Sequence, residues 1–305
     1  MINRYGYKPE PRFGYKNDRE SREHLTFGVE LECEPRRNGA PKMDADELSD
    51  RIDAIASDRV YCKSDCSLSR GLEIVTHPGT LAHHMYVMHW RQIQRTCEKA
   101  GFRSHDTENS GLHIHVGRAQ LGSTDAERDE TIRKVQVLFV MYAAELTRFS
   151  RRTRSRLDEW ASFRSFGVSP ESIRATDGDA LAAWARSSVP TFEDDYHQRR
   201  YTAVNLMNRA TVEIRIFRGT LKRDTLIAAI QLVSNIFEYA MSHTWDELRT
   251  STWADVAACK PYKELVGYMI ARGLLDADAA PETLPGGNRA MDYYGVDGIA
   301  RPAHA

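Results

Sequence analysis

The chain has 305 residues, 41% of them hydrophobic, and its 42 basic and 43 acidic residues leave a formal net charge of -1. This length can bury a large core without disulfide support, and the near-neutral charge gives no reason to expect nucleic acid or an anionic membrane as a partner. The first residues form no apolar signal core and no apolar stretch reaches the ~18 residues of a membrane-spanning helix, so we expect a cytoplasmic protein without membrane contact.

Residues 1–24 show neither helical nor strand periodicity and are predicted to form an extended arm. The first predicted strand covers residues 27–33, where Glu30 and Glu32 alternate with apolar residues. Because side chains alternate faces along a strand, both carboxylates lie on one side and the apolar residues face a core. Alone, such a pair is more often a solvated sheet face than a binding site.

A hairpin-like unit carries the next candidate residues. Its polar turn, Lys63-Ser64-Asp65-Cys66-Ser67-Leu68, precedes a strand at residues 72–76 that contains Glu73. Lys63 is equally consistent with a contact to a phosphate and with capping of the turn. The unit adds one Asp and one Glu to the candidate set.

The third group of candidates lies in a predicted strand at residues 111–117. His113 and His115 project from one face, and apolar residues fill the other. Such a His-x-His pair is as consistent with packing as with a binding site, so it decides nothing alone.

The last predicted strand, residues 211–216, changes the chemistry because it places Arg215 beside Glu213 on one face. A Glu-x-Arg pair alone is commonly a cross-strand ion pair. The alternation breaks at Phe217, so Arg218 reaches the same face only if the strand bends or ends there.

Apolar residues at helical spacing predict further elements over residues 44–57, 80–100, 124–146, 224–237 and 262–273. An arginine cluster at 148–156 could hold an anion, but a solvated basic face is the favoured interpretation. Residues 25–275 are predicted to form one catalytic domain, with about 150–200 as an insertion, lid and substrate region. Residues 276–305 are predicted to form a weakly ordered tail because they are rich in Ala, Pro, Gly and Asp.

Together, the candidate pairs predict a metal site on the polar face of a sheet. The acidic and imidazole side chains are Glu30, Glu32, Glu73, His113, His115 and Glu213. Like charges gathered on one face raise one another's pKa and oppose folding, so divalent cations are the natural compensation. Glu-rich ligation suits two or more Mg2+ or Mn2+ ions better than zinc. Arg215 adds the fixed guanidinium that a transferring phosphoryl group needs besides metal.

The ordered series of motifs resembles that of the amidoligase family, the carboxylate-amine ligases that share the catalytic fold of glutamine synthetase and glutamate-cysteine ligase. The resemblance covers about residues 25–240. The motifs that carry it are Phe27-Gly28-Val29-Glu30-Leu31-Glu32, Lys63-Ser64-Asp65-Cys66-Ser67-Leu68, Gly71-Leu72-Glu73-Ile74-Val75-Thr76-His77-Pro78, Ser110-Gly111-Leu112-His113-Ile114-His115-Val116-Gly117, Arg200-Tyr201-Thr202-Ala203-Val204-Asn205 and Thr211-Val212-Glu213-Ile214-Arg215-Ile216-Phe217-Arg218.

The resemblance implies an α+β fold, in which a curved antiparallel sheet forms an active-site funnel with helices packed on its outer face. It also implies ATP and two or more divalent ions as cofactors. The implied metal ligands are Glu30, Glu32, Glu73, His113 and Glu213. The implied catalytic residues are Arg215, Arg218, His115 and Asp65, and the implied contacts to the nucleotide are His115, Arg215, Arg218 and Lys63. The implied substrate-binding residues are Tyr201, Asn205 and Arg209. The family's aspartate-glycine turn is Asp65-Cys66 in this sequence.

By this resemblance, the chain is expected to be an ATP-dependent C-N ligase that joins a carboxylate to an amine through an acyl phosphate. The expected substrates are small molecules or peptides, with a partner protein as a further candidate acceptor. Two other interpretations stay open. One is a phosphotransferase on the same fold that phosphorylates a guanidino or similar nitrogen, and the other is a non-catalytic module that binds metal or nucleotide.

Overall fold

A computed structural model describes residues 2–16, 24–36, 41–65, 67–68, 70–105, 107, 109–193 and 200–276. Cys66 of the predicted turn and the predicted tail from residue 277 onward lie outside this part of the chain. The strands are β1 (Thr26–Pro35), β2 (Val60–Lys63), β3 (Leu72–Thr76), β4 (Gly79–Thr80), β5 (Phe102–Arg103), β6 (Gly111–Gly117), β7 (Val204–Asn205) and β8 (Thr211–Arg218). The helices are α1 (Ala45–Ala56), α2 (Leu81–Tyr86), α3 (Trp90–Lys99), α4 (Asp125–Met141), α5 (Ala143–Ser150), α6 (Arg154–Trp160), α7 (Pro170–Ala175), α8 (Gly178–Ser188), α9 (Arg223–Ser242), α10 (Trp245–Thr250), α11 (Trp253–Ala257) and α12 (Lys263–Ala271).

The strands form one open antiparallel sheet. Its strands lie in the order β2-β3-β1-β6-β8-β7, and the short strands β4 and β5 pair with the two ends of β1. Every pairing in this order is antiparallel. The prediction of a mixed α+β fold with an antiparallel sheet is therefore confirmed.

The register of the central strands places the predicted polar residues together. The opposed pairs are Glu32 and Glu73, Glu30 and His113, and His115 and Glu213. Directly opposed residues in a sheet point to the same side, so all of these side chains share one face. We call it the polar face.

The other face of the sheet belongs to the hydrophobic core. Val29 and Leu31 of β1 are fully buried, as are Ile114 of β6 and Ile214 of β8. The helices α1, α3 and α5 contact strands β2, β5 and β8, and α9, most of whose residues are buried, contributes to the same core. Burial of one face only explains why polar and apolar residues alternate in these strands.

Two of the predicted helices are each divided in the structure. The helix predicted over residues 80–100 stops at Tyr86 and resumes at Trp90, and the helix predicted over 124–146 breaks at Tyr142. Across the second break the apolar spacing continues, so periodicity alone could not locate it. Within the described ranges, no helix combines the length and the apolar character needed to cross a membrane.

His84 of α2 is a buried histidine that serves the fold. Its Nε2 atom lies 2.8 Å from the carbonyl oxygen of Phe27, so Nε2 carries the donated proton. Its Nδ1 atom is buried with no hydrogen-bond partner among the described residues, so a second proton would have no acceptor. Burial accordingly lowers the pKa of His84 to about 3.

We expect His84 to make the folded state lose stability as the pH falls. The unfolded chain takes up a proton near the usual pKa of 6.5 and the folded chain only near 3, so the stabilisation is complete above pH 6.5 and declines below it. In His84→Gln, whose amide can still donate to Phe27, this decline should be absent, a difference of up to about 1.4 kcal/mol per pH unit. Urea unfolding of both proteins at about pH 7.5 and about pH 5 measures this difference. If wild type and His84→Gln lost the same free energy of unfolding between these pH values, His84 would not be the group responsible.

Candidate metal centre

The central strands bring one cluster of acidic and imidazole groups together on the polar face. A carboxylate oxygen of Glu30, a ring nitrogen of His115 and a carboxylate oxygen of Glu213 all lie within 4.8 Å of one another. His113 lies beside them, with its Nδ1 atom 3.4 Å from a Glu30 oxygen and 3.5 Å from a Glu213 oxygen. The side chains come from β1, β6 and β8, so a hydrogen-bonded backbone fixes their spacing.

A β-bulge allows β8 to serve both the cluster and the core. Two residues of β8, Arg215 and its successor, face the single residue His113 of β6. The extra residue returns Phe217 to the apolar face and puts Arg218 in register with Gly111 at the end of the strand. Arg218 lines a cavity there, about 14 Å along the sheet from Glu213, because their partners on β6, Gly111 and His115, are four residues apart. Because directly opposed residues point to the same side, the bulge gives Arg218 the same face as His113 and His115, but at the far end of the strand from the triad.

The orientation of His115 suits a metal ligand. Its Nδ1 atom lies 3.0 Å from the hydroxyl oxygen of Thr211, a contact that fixes the ring and turns Nε2 toward the cluster. The buried Nε2 atom lies 3.3 Å from a Glu30 oxygen but makes no hydrogen bond to the described residues. A buried nitrogen aimed at carboxylates is the kind of atom that a bound cation would satisfy. Thr211 was not predicted to take part, because its place at the start of the strand is its only signal in the sequence.

Lys63 neutralises part of the acidic cluster. Its Nζ atom lies 3.0 Å from a Glu73 oxygen and 3.9 Å from a Glu30 oxygen. Burial alone would raise the pKa of Glu30, but His115, His113 and Lys63 hold it well below its usual range. The pKa of Glu73, by contrast, is raised by burial and by the charge of Glu30. Glu30 and Glu73 are thus neighbouring carboxyl groups, and a divalent cation is one way to compensate such like charges.

Glu32 lies at the end of the cluster near Arg152, a residue between α5 and α6. Oε2 of Glu32 accepts a hydrogen bond of 2.5 Å from the backbone N-H of Gly111. Arg152 donates from Nε to the carbonyl oxygen of Phe217 at 3.1 Å, and burial lowers the pKa of its guanidinium to about 10. Arg152 was not among the predicted site residues, because it belongs to the arginine cluster at 148–156 that was interpreted as a solvated face.

Arg215 forms an ion pair with Glu213 and lies near the aromatic ring of Tyr201. The two side chains are buried, and the charge of each changes the pKa of the other. The pKa of Arg215 is raised by Glu213 and the pKa of Glu213 is lowered by Arg215, in both cases against the effect of burial. The guanidinium carbon of Arg215 lies 5.9 Å from the ring centroid of Tyr201. Arg200 lies 5.7 Å from the same ring and donates a hydrogen bond of 2.7 Å to the hydroxyl of Tyr5. Tyr201 is therefore placed next to the cluster.

Of the other predicted site residues, Asn205 lies directly opposite Glu213 in the sheet, whereas Asp65 and Arg209 make their contacts elsewhere. Asp65 accepts hydrogen bonds within its own turn, although its charge adds to burial in raising the pKa of Glu32. Asn205 uses its side-chain amide for hydrogen bonds to the backbone. Arg209 lies over the ring of Phe192 at 5.1 Å. The structure does not bring these three side chains into the group of close contacts around Glu30.

The donor set fits a divalent cation, because the unpartnered Nε2 of His115 faces carboxylate oxygens at short range. The residues that would hold one ion are Glu30, His115 and Glu213, with His113 in reach. Carboxylate-rich ligation favours Mg2+ or Mn2+, whereas two imidazoles at one ion would also suit zinc. His115, which the resemblance implies for phosphate binding, lies among the metal donors in this geometry.

Gly111→Ala should destabilise the protein by displacing Arg152. The added Cβ atom would lie 2.1 Å from the Arg152 guanidinium and 3.1 Å from Nε2 of His113, so both neighbours must move. We expect a loss of about 1–3 kcal/mol in the free energy of unfolding, measured in urea. Gly267→Ala in α12, where no atom lies within 4 Å of the added Cβ, is the matched control and should be neutral or stabilising by up to about 1 kcal/mol. Equal effects of the two substitutions would contradict the close packing at Gly111.

Comparisons with known proteins leave the family of this chain open. The sequence matches no protein-family model and no curated protein. Among solved structures, it is similar to a chain of the complex between the prokaryotic ubiquitin-like protein Pup and its ligase PafA, at 9% identity and a TM-score of 0.32. The alignment covers 74% of this chain and 50% of that chain, so the likeness extends over half of that chain's length. At this identity and TM-score, the likeness carries no argument about activity.

Proposed function

We propose that the chain is an ATP-dependent carboxylate-amine ligase that uses two or more Mg2+ or Mn2+ ions. The order of the sequence motifs supports the ligase class. The observation that carries the proposal is the cluster of Glu30, His115 and Glu213, whose donor atoms lie within 4.8 Å of one another, with Arg215 bound to Glu213 on the same face. A metal-binding cluster with a built-in guanidinium is suited to a phosphoryl group.

The cations beside the carboxylates favour a nucleotide site over a structural metal site. Lys63 lies against Glu73, and Arg215 lies against Glu213. Positive side chains next to metal ligands weaken metal binding by repulsion, so a site that only held a metal would gain nothing from them. An anionic ligand that contacts both the ions and the cationic side chains accounts for their presence.

Each part of the cluster would have its own role. ATP, when bound with its ions, supplies the phosphoryl group that activates the carboxylate. Glu30, His115 and Glu213 would hold one ion at the centre of the sheet, and Glu213 would also orient Arg215. Arg215 would then stabilise the charge that develops on the transferred group. We propose a small-molecule or peptide carboxylate and amine as substrates, with a partner protein as a further candidate acceptor.

The test is ADP release by the purified protein with ATP, Mg2+ and a mixture of amino acids, peptides and cell extract. Mass spectrometry should then find a joined product whose mass is the sum of its two substrates less one water. We expect ADP release to require both an acceptor and the metal, so EDTA should abolish it and added Mg2+ or Mn2+ should restore it better than Zn2+.

Two other outcomes would redirect the assignment. A stable phosphorylated product without an amide would select a phosphotransferase. If ATP with Mg2+ failed to raise the melting temperature, the protein would instead be a metal-binding module, because a ligand that binds the folded state must stabilise it.

A further inference from the structure

We propose that Arg152 binds an oxyanion of the substrate or nucleotide at the end of the metal centre marked by Glu32 and Gly111. This role rests on the proposed function, since it adds a binding residue for the same reaction. Arg152 comes from outside the sheet, between α5 and α6, and belongs to the arginine cluster for which the sequence favoured a solvated basic face.

The backbone turn that delivers Arg152 is strained. Arg151, the residue before it, has a φ of 60° and lies in the left-handed region, which residues other than Gly, Asn and Asp seldom adopt. The hydroxyl of Ser150 accepts a hydrogen bond of 3.1 Å from the backbone N-H of Arg152 and braces this turn. Strain of this kind is retained where the surrounding structure needs the next side chain in a particular place.

The guanidinium lies over Gly111, a position on this face of the sheet that carries no side chain. Its Nε donates to the carbonyl oxygen of Phe217 at 3.1 Å, which fixes one edge of the group. A terminal nitrogen lies above Gly111, where a Cβ atom would be 2.1 Å from it and 3.3 Å from Oε2 of Glu32. Any residue other than glycine at position 111 would therefore fill the space that the guanidinium occupies.

One terminal nitrogen of the guanidinium lies above Gly111, at the end of the metal centre formed by His113 and Glu32. Among the described residues, none accepts a hydrogen bond from its two terminal nitrogens, and no carboxylate forms an ion pair with it. Oε2 of the neighbouring Glu32 is instead bound to the N-H of Gly111. A half-buried, anchored guanidinium with unused donors is suited to a ligand with two oxygens of the right spacing.

Phosphoryl and carboxylate groups share this chemistry, since both accept paired hydrogen bonds from a planar guanidinium. In the proposed reaction, the phosphoryl source is the nucleotide and the carboxylate source is the acid that is activated. To distinguish the two sources, the affinities for a nucleotide and for a carboxylate are measured with and without the Arg152 side chain.

The experiment compares wild type with Arg152→Gln, Arg152→Lys and Arg156→Gln. Arg156 is a matched control in α6 that pairs with Glu159 at 3.0 Å on the surface. Isothermal titration in excess Mg2+ measures the affinity for AMP-PNP, a non-hydrolysable ATP analogue, and for glutarate. Electron paramagnetic resonance measures the affinity for Mn2+, and circular dichroism checks the fold.

We expect Arg152→Gln to weaken the binding of one of these anions by at least about tenfold, with a smaller loss for Arg152→Lys and none for Arg156→Gln. Weaker binding of AMP-PNP assigns Arg152 to the phosphoryl source, and weaker binding of glutarate assigns it to the carboxylate. Mn2+ affinity should stay the same or rise, because a positive charge leaves the vicinity of the carboxylates. If Arg152 only supported the structure of the site, Arg152→Gln would instead lower the affinity for Mn2+.

Unchanged affinity of Arg152→Gln for both anions overturns the role of Arg152, whether or not the wild type is a ligase. A wild type that binds an anion through Arg152 but forms no ADP and no amide overturns the ligase assignment and leaves the anion site standing. A wild type that binds neither probe overturns both.

Discussion

Glu30→Gln should abolish metal-dependent ATP turnover while leaving the chain folded. Glu30 lies within 3.3–3.9 Å of His115, His113 and Lys63, and its lowered pKa keeps it ionised at neutral pH. Gln has nearly the same shape but no charge, so it cannot replace a carboxylate ligand of a hard cation. Since even indirect support of a metal ligand is worth about 10–100-fold in affinity, we expect Mn2+ affinity to fall by more than about 100-fold.

The matched control for this change is Glu34→Gln on the same strand and the same face. Glu34 accepts a hydrogen bond of 3.2 Å from the hydroxyl of Ser110 and lies outside the triad. Mn2+ affinity, measured by electron paramagnetic resonance, and ADP release should be close to wild type in this control. If Glu30→Gln kept its Mn2+ affinity, or if the control lost as much, the assignment of Glu30 as a metal ligand would be wrong.

The sheet could be predicted from the sequence wherever the chain buries only one face. Alternation over six or seven residues identified β1, β6 and β8, because a period of two sustained over that length is typical of a half-buried strand and not of a helix. The four-residue β2 and two-residue β7 are too short to show a period. The break at Tyr142 was also missed, since an apolar stripe that continues across a bend looks like one helix.

The candidate site was less predictable than the strands because its geometry depends on pairing between distant segments. All three residues of the triad were predicted to belong to the site, yet their spacing in the sequence could not show that His115 would lie with Glu30 and Glu213 in particular. The bulge opposite His113 has no local signature, so the register that sets Arg218 opposite Gly111 could not be predicted either. Arg152 reaches the site only through the left-handed turn before it, which is a property of the folded chain.

Arg215→Gln should stop catalysis while leaving metal binding intact. Arg215 is bound to Glu213 on the polar face, and its own charge is stabilised by Glu213 and, at longer range, by Glu30. A guanidinium that stabilises a transferring phosphoryl group is worth about 10³–10⁵ in rate. The variant should therefore lose at least about 10³-fold in ADP formation. Its Mn2+ affinity should be unchanged or higher, because a positive charge next to Glu213 has been removed.

Arg215→Lys separates the proposed catalytic role from a role in folding. Breaking a buried ion pair is strongly destabilising, so Arg215→Gln alone could lose activity by unfolding. Lys keeps the positive charge beside Glu213 but lacks the planar fork, and we expect it to restore the melting temperature more fully than the rate of ADP formation. Arg186→Gln on α8, which removes an exposed arginine paired with Glu130 at 2.9 Å, controls for the loss of charge and should leave both quantities near wild type. A Lys variant with the full wild-type rate would show that charge alone is needed at position 215. A Gln variant that stays folded and retains the wild-type rate would remove Arg215 from the reaction.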